Sequence, residues 1–152
     1  MHINLNDQVA LVTGGDSGIG RAICLAFAAA GAKVVVNYNS SRDKAIEVVQ
    51  QIEKAGGQAL AVQCDVSSED DVARLFDRTD KAFGGLDILV ANSGIQKDAP
   101  FADMSLADWK AVLDVNLTGQ FLCARAAVKR FRQQGNRGRM RANGVILCMS
   151  SV

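Results

Sequence analysis

The chain has 152 residues, 49% hydrophobic and 22% charged, with one proline and 14 glycines, the composition of one ordinary soluble domain spanning residues 1–152. Seventeen Lys and Arg against 16 Asp and Glu leave a net charge of +1, so no bulk charge draws the chain to nucleic acid or a membrane surface. No apolar run approaches the ~18 residues of a membrane span, and the opening MHINLNDQ has no apolar core of a signal peptide.

In chain order, short apolar runs alternate with longer helical stretches. Val9 to Thr13 is a continuous apolar run closed by glycines, as a strand buried on both faces requires. Helical spacing then runs through Ile19, Ile23, Phe27 and Ala30 and stops at Gly31. A valine-rich second strand covers Lys33 to Asn37, and Arg42 to Ala55 places Ile46, Val49 and Ile52 on one helical face before Gly56-Gly57. Ala59 to Cys64 is the third strand. Ser68 then caps a helix whose first turn carries Glu69, Asp70 and Asp71, acids that suit the positive helix end. Val72, Leu75, Phe76 and Phe83 form its apolar stripe.

Leu86 to Val90 reads as the fourth strand and Gly144 to Met149 as the fifth. Between them Ser105 caps a long helix reaching to about Gln134. Five strands separated by helices imply right-handed crossovers and a parallel α/β sheet, with no second domain. Lys129 to Arg141 holds six basic residues and no acid. With only Phe131 as an interleaved aromatic, this reads as a solvated face and not a nucleic-acid patch. The four cysteines, Cys24, Cys64, Cys123 and Cys148, are far apart and form no CxxC pair. They read as small buried hydrophobes of a reducing cytoplasm, with no metal site.

The segment Thr13-Gly14-Gly15-Asp16-Ser17-Gly18-Ile19-Gly20 lies between the first strand and the first helix. A parallel strand delivers the chain to the carboxyl edge of the sheet, where the next helix opens with unpaired N–H groups and partial positive charge. Glycines there permit a sharp turn and the close approach of a phosphate. A P-loop is excluded, because Gly20-Arg21-Ala22 supplies neither the lysine nor the hydroxyl such a loop ends on. The spacing TGxxxGxG also differs from GxGxxG. A methyltransferase sheet normally ends its first strand in an acid, which Thr13 is not.

Together with four later segments of the chain, this turn resembles the short-chain dehydrogenase/reductase family. TGGDSGIG matches the family's cofactor turn, and Asp65-Val66 matches the position whose Asp meets the adenine amino group. Asn92-Ser93-Gly94 stands where the family has the end of Asn-Asn-Ala-Gly, with Ala91 in place of the usual first asparagine. Val115 to Gly119 matches the helix segment carrying the active-site Asn, here Asn116, and Met149 to Val152 the strand end carrying the active-site Ser, here Ser151. Asn116 is also unfavourable inside a helix by propensity, which hints at a specific hydrogen-bonding task. The stretch ANSGIQKDAP looks most like the glucose 1-dehydrogenase branch.

The resemblance implies a Rossmann-like doubly wound parallel sheet ordered 3-2-1-4-5, an NADP or NAD coenzyme, a small alcohol or carbonyl substrate and, for a full-length subunit, a homo-oligomer. It assigns the coenzyme to Gly14, Asp16, Ser17, Gly18, Ile19, Gly20, Asn37, Asp65, Val66, Asn92 and Gly94. An acid after the second strand binds ribose hydroxyls and repels a 2′-phosphate. Asn37 is read as occupying that position without the charge, and Ser40, Ser41 and Arg42 could hold a phosphate. Asp16 acts mildly against it. The balance favours NADP.

In the family a tyrosine moves the hydroxyl proton, assisted by a lysine four residues later; free tyrosine, with a pKa of about 10, needs that help near neutrality. No Tyr-x-x-x-Lys occurs in these residues, and the only tyrosine is Tyr38. The chain by itself is therefore expected not to turn over, as a fragment or a non-catalytic dinucleotide-binding module. Its fifth strand, apolar on both faces, is expected to form an association-prone edge.

Overall fold

A computed structural model describes residues 4–137 and 142–150. Five parallel strands, β1 (Val9–Val12), β2 (Lys33–Tyr38), β3 (Gln58–Gln63), β4 (Ile88–Ala91) and β5 (Val145–Cys148), lie in the order 3-2-1-4-5. The register pairs Leu11 with Val35 and Leu89, which puts β1 at the centre of the doubly wound sheet. Every residue of β1 is buried, as its unbroken apolar sequence requires.

The helices are α1 (Gly18–Ala29), α2 (Arg42–Lys54), α3 (Glu69–Phe83), α4 (Leu106–Leu113) and α5 (Gly119–Gln134). Alternation along the strands sends their side chains into two cores. One joins Val9, Leu11 and Val35 to Leu75 and Phe76 of α3 and Leu122 and Phe131 of α5. The other joins Ala10, Val12, Val34 and Val36 to Cys24 of α1 and Val48 and Ile52 of α2. Helices on both faces are what a parallel sheet needs to bury its strands.

The stretch from Ser105 to Gln134 is helical as expected, but not uniformly so. A wide π-turn over Asp114–Thr118 interrupts it between α4 and α5. At the edge of the described sheet, β5 leaves Val145 39% and Leu147 46% exposed. Cys24, Cys64 and Cys123 are buried, whereas Cys148 is exposed, which corrects the reading of all four as core residues. Burial pushes the first three thiols up to about 12. Within the basic run, Arg130 pairs with Asp77 and Asp80, both at 2.6 Å, and Arg137 lies 3.5 Å from Asp87. Burial raises the Asp80 carboxyl despite the opposing pull of Arg130. Residues 138–141 lie outside the described residues. No described helix is long and apolar enough to cross a membrane.

Candidate functional site

The carboxyl ends of β1, β2, β3 and β4 converge on one edge, where parallel α/β sheets leave a crevice. Gly14 takes φ +60°, a left-handed conformation that favours glycine. A Cβ on Gly20 would overlap the Gly14 carbonyl oxygen, so α1 can pack this closely on the turn only without one. The first intrahelical bond of α1 runs from the Arg21 N–H to the Ser17 carbonyl at 3.0 Å, leaving the amides of Gly18, Ile19 and Gly20 ahead of the helical ladder. Ser17 at the N-cap makes no side-chain capping bond, and the first turn holds no acid. The start of α1 thus keeps its partial positive charge for an anion.

Around this helix start lies a cleft of about 250 Å³ lined by Gly14, Asp16, Ser17, Asn39, Ser40, Ser41, Cys64, Asp65, Val66, Asn92, Ser93, Gly94, Ile95 and Val115. It adjoins a second hollow of about 320 Å³ formed by Ile19, Asn92, Ser93, Gly94, Asn116, Gln120, Met149 and Ser150. Asn92, Ser93 and Gly94 border both, so the two make one groove across the carboxyl edge. A larger hollow, about 500 Å³, opens at the opposite edge among the C-terminal ends of α1 and α2. Helix carbonyls face that end and repel an anion, so size does not make it the diphosphate site.

The groove is held by side chains at the ends of β1 and β4, Thr13 and Asn92, and by Asp65 and Asn116. Thr13 Oγ1 accepts from the N–H groups of Asn92 and Ser93 at 2.8 and 2.9 Å. Asn92 Nδ2 donates to the carbonyls of Thr13 and Gly14 at 3.0 and 3.3 Å. The ends of β1 and β4 are therefore tied together despite the alanine at position 91. Asp65 Oδ1 accepts from the Ser67 N–H at 2.9 Å and its hydroxyl at 2.7 Å, so this carboxylate also fixes its own turn. Asn116, inside the π-turn, pairs both amide atoms with one backbone unit: Oδ1 accepts from the Ile95 N–H at 2.8 Å and Nδ2 donates to the Ile95 carbonyl at 2.9 Å. This fixes the chain just after Gly94, on the groove wall.

Of the sequence-predicted residues, Gly14, Asp16, Ser17, Ile19, Asp65, Val66, Asn92, Gly94 and Asn116 border the groove. Gly18 and Gly20 shape the turn without lining it. Asn37 is a correction. It is 1% exposed and its amide is spent on backbone groups around it, so it does not face a ribose. Its side chain lies on the Val35 face of β2, bonded to the glycine turn and to β3, and Asn39, Ser40 and Ser41 border the cleft there instead. Ser151 lies outside the described residues; its neighbour Ser150 borders the groove. Sequence reasoning missed Gln120, whose Nε2 donates to the Met149 carbonyl at 2.8 Å. No local signal marks it, because its acceptor lies 29 residues further along the chain.

The family model described as short chain dehydrogenase matches residues 8–152. A 3-oxoacyl-[acyl-carrier-protein] reductase of Synechocystis is 49% identical over 130 residues, 86% of this chain and 53% of the relative. The 3beta-hydroxysteroid dehydrogenase 1 of Eggerthella lenta is 42% identical over 152 residues, all of this chain and 56% of the relative. Among solved structures, a short-chain dehydrogenase of Burkholderia cenocepacia in complex with NADP superposes with a TM-score of 0.81 at 42% identity, covering 84% of this chain and 52% of that one. A short-chain type dehydrogenase/reductase of Mycobacterium marinum gives 0.91 at 37% identity, covering 99% and 58%. The chain spans about half the length of the relatives it matches.

Proposed function

This chain belongs to the short chain dehydrogenase family, and from that premise we propose that it forms the coenzyme-binding part of an NADP- or NAD-dependent oxidoreductase acting on a small alcohol or carbonyl compound. The observation that carries this reading is the uncapped, acid-free start of α1 opening on a groove at the carboxyl edge. The diphosphate belongs at the amides of the glycine turn and first helical turn. Asp65 and Val66 serve the adenine end.

Asn39, Ser40 and Ser41 supply polar groups and no negative charge beside the adenosine ribose, which supports NADP over NAD. When bound, the nicotinamide supplies the hydride acceptor or donor. Asn116 holds the backbone of Ile95 and with it the wall at Gly94. Ser151 is assigned, by family likeness, to hydrogen-bond the reacting oxygen. A sugar such as glucose is the finer substrate reading, resting on ANSGIQKDAP. The names of the two relatives, an oxoacyl reductase and a hydroxysteroid dehydrogenase, support carbonyl–hydroxyl interconversion in general.

These 152 residues contain no Tyr-x-x-x-Lys, which favours a second reading for them by themselves: dinucleotide binding without turnover. General acid–base catalysis typically supplies about 10²–10⁴-fold. For the full-length protein we propose a cytoplasmic location and a homo-oligomeric state, the latter supported by the exposed Leu106, Trp109, Leu113, Leu117 and Phe121 along the α4–α5 helix. Fluorescence titration tests the central reading. Both reduced coenzymes should bind saturably, NADPH more tightly than NADH; absence of quenching by either refutes it.

A further inference from the structure

The coenzyme reading leaves unexplained why a polar side chain sits fully buried at the end of a valine strand. Asn37 comes directly after Val34, Val35 and Val36 and is 1% exposed. A buried amide is costly unless its groups are partnered, and those of Asn37 are. Its Oδ1 accepts from the Gly14 N–H at 3.2 Å. Its Nδ2 is shared among the carbonyls of Tyr38, Val62 and Cys64, at 3.3, 3.3 and 3.1 Å. Its own carbonyl accepts from the Gly15 N–H at 2.8 Å.

These partners have two effects. The first two glycine amides of the turn are drawn inward, so the donors left facing the groove are those further along, toward α1. The same side chain also grips the carbonyl of Cys64, the residue before Asp65. One amide group therefore joins the glycine turn to the segment that carries Asp65 and Val66, which line the same cleft. We propose that Asn37 is the positioning residue that sets these two walls against each other for the dinucleotide. This rests on the coenzyme reading given above, with Asn37 acting through Gly14 and Cys64 and touching no coenzyme itself.

The test compares the 152-residue chain with Asn37→Ala and Asn37→Asp by calorimetric titration with NADP and by hydrogen exchange. Asn37→Ala should weaken NADP binding by about ten-fold or more, the weight of a buried hydrogen-bonding group. It should also speed exchange of the Gly14 amide while Leu11 and Val12 in β1 keep their protection. Asn37→Asp points a carboxylate at three carbonyls. Its NADP affinity should recover as pH falls from about 8 to 5, because protonation removes the buried charge and restores one donor; the unmodified chain should lack that recovery. Should Asn37→Asp not fold, Asn37→Ser replaces it, with the same loss expected as for Asn37→Ala. Unchanged NADP affinity in Asn37→Ala or Asn37→Ser, unchanged Gly14 exchange, or a pH profile of Asn37→Asp parallel to the unmodified one overturns the proposal. If the unmodified chain binds no NADP, the coenzyme reading fails, and the exchange comparison still decides whether Asn37 holds Gly14.

Discussion

The starts of α1 and α3 are both built on a serine N-cap, and they do opposite things with it. At α3, the Ser68 hydroxyl oxygen accepts from the Asp71 N–H at 3.3 Å, and Glu69, Asp70 and Asp71 fill the first turn. That helix caps one of its own amides and offsets its own dipole with its own acids. At α1, Ser17 caps nothing and the first turn carries no acid. A helix end that is finished from within is architecture. One left unfinished at the mouth of a groove is available to a ligand.

The comparison is open to experiment. The largest effect is expected from Gly20→Ala, which drives a methyl into the Gly14 carbonyl. Overpacking of this kind costs about 1–3 kcal/mol, and NADPH titration should show binding abolished. Ser17→Asp makes α1 resemble α3. It should raise the thermal midpoint through about 0.5–1 kcal/mol of capping and dipole stabilisation while weakening NADPH about ten-fold or more by charge repulsion. Tighter binding in that variant would refute the assignment of the diphosphate to this helix start. Ser68→Ala is the converse. It should cost about 1 kcal/mol in urea unfolding and leave NADPH affinity unchanged.

The smallest effect concerns the cysteines. The thiols of Cys24, Cys64 and Cys123 are pushed up to about 12 in the folded protein, so the native state holds their protons where the unfolded state releases them. Their contribution to stability is fully present below about pH 9 and declines as pH rises toward 12. Alkylation of the native chain at pH 8, then mass spectrometry, should find the label on exposed Cys148 well before the other three.

Much of the fold is legible in the sequence because it is written in local periodicity. The unbroken apolar run at Val9–Val12 and the glycines after it identify a central strand and its turn without reference to anything distant. The partners of a side chain are another matter. Asn37 reads as a ribose contact because it stands at the end of the valine run, yet β2 continues through Tyr38, and the partners of Asn37 on the glycine turn and β3 come together only once the sheet forms. The π-turn at Asp114–Thr118 is hidden because the flanking sequence has unbroken helical character. Gln120 is hidden because its acceptor, the Met149 carbonyl, lies just past β5 in a distant part of the chain.

The π-turn has a mechanical consequence. A turn one residue wider than its neighbours introduces a phase slip of roughly 100° into the rod. The two halves can therefore be clocked separately. The half after it keeps Leu122, Cys123, Ala127 and Phe131 against the core, while Asn116 within the slip rotates to meet Ile95. Removing a single residue from Asp114–Thr118 should force one engagement to be surrendered to preserve the other, so this short stretch acts as a gearing between groove and core.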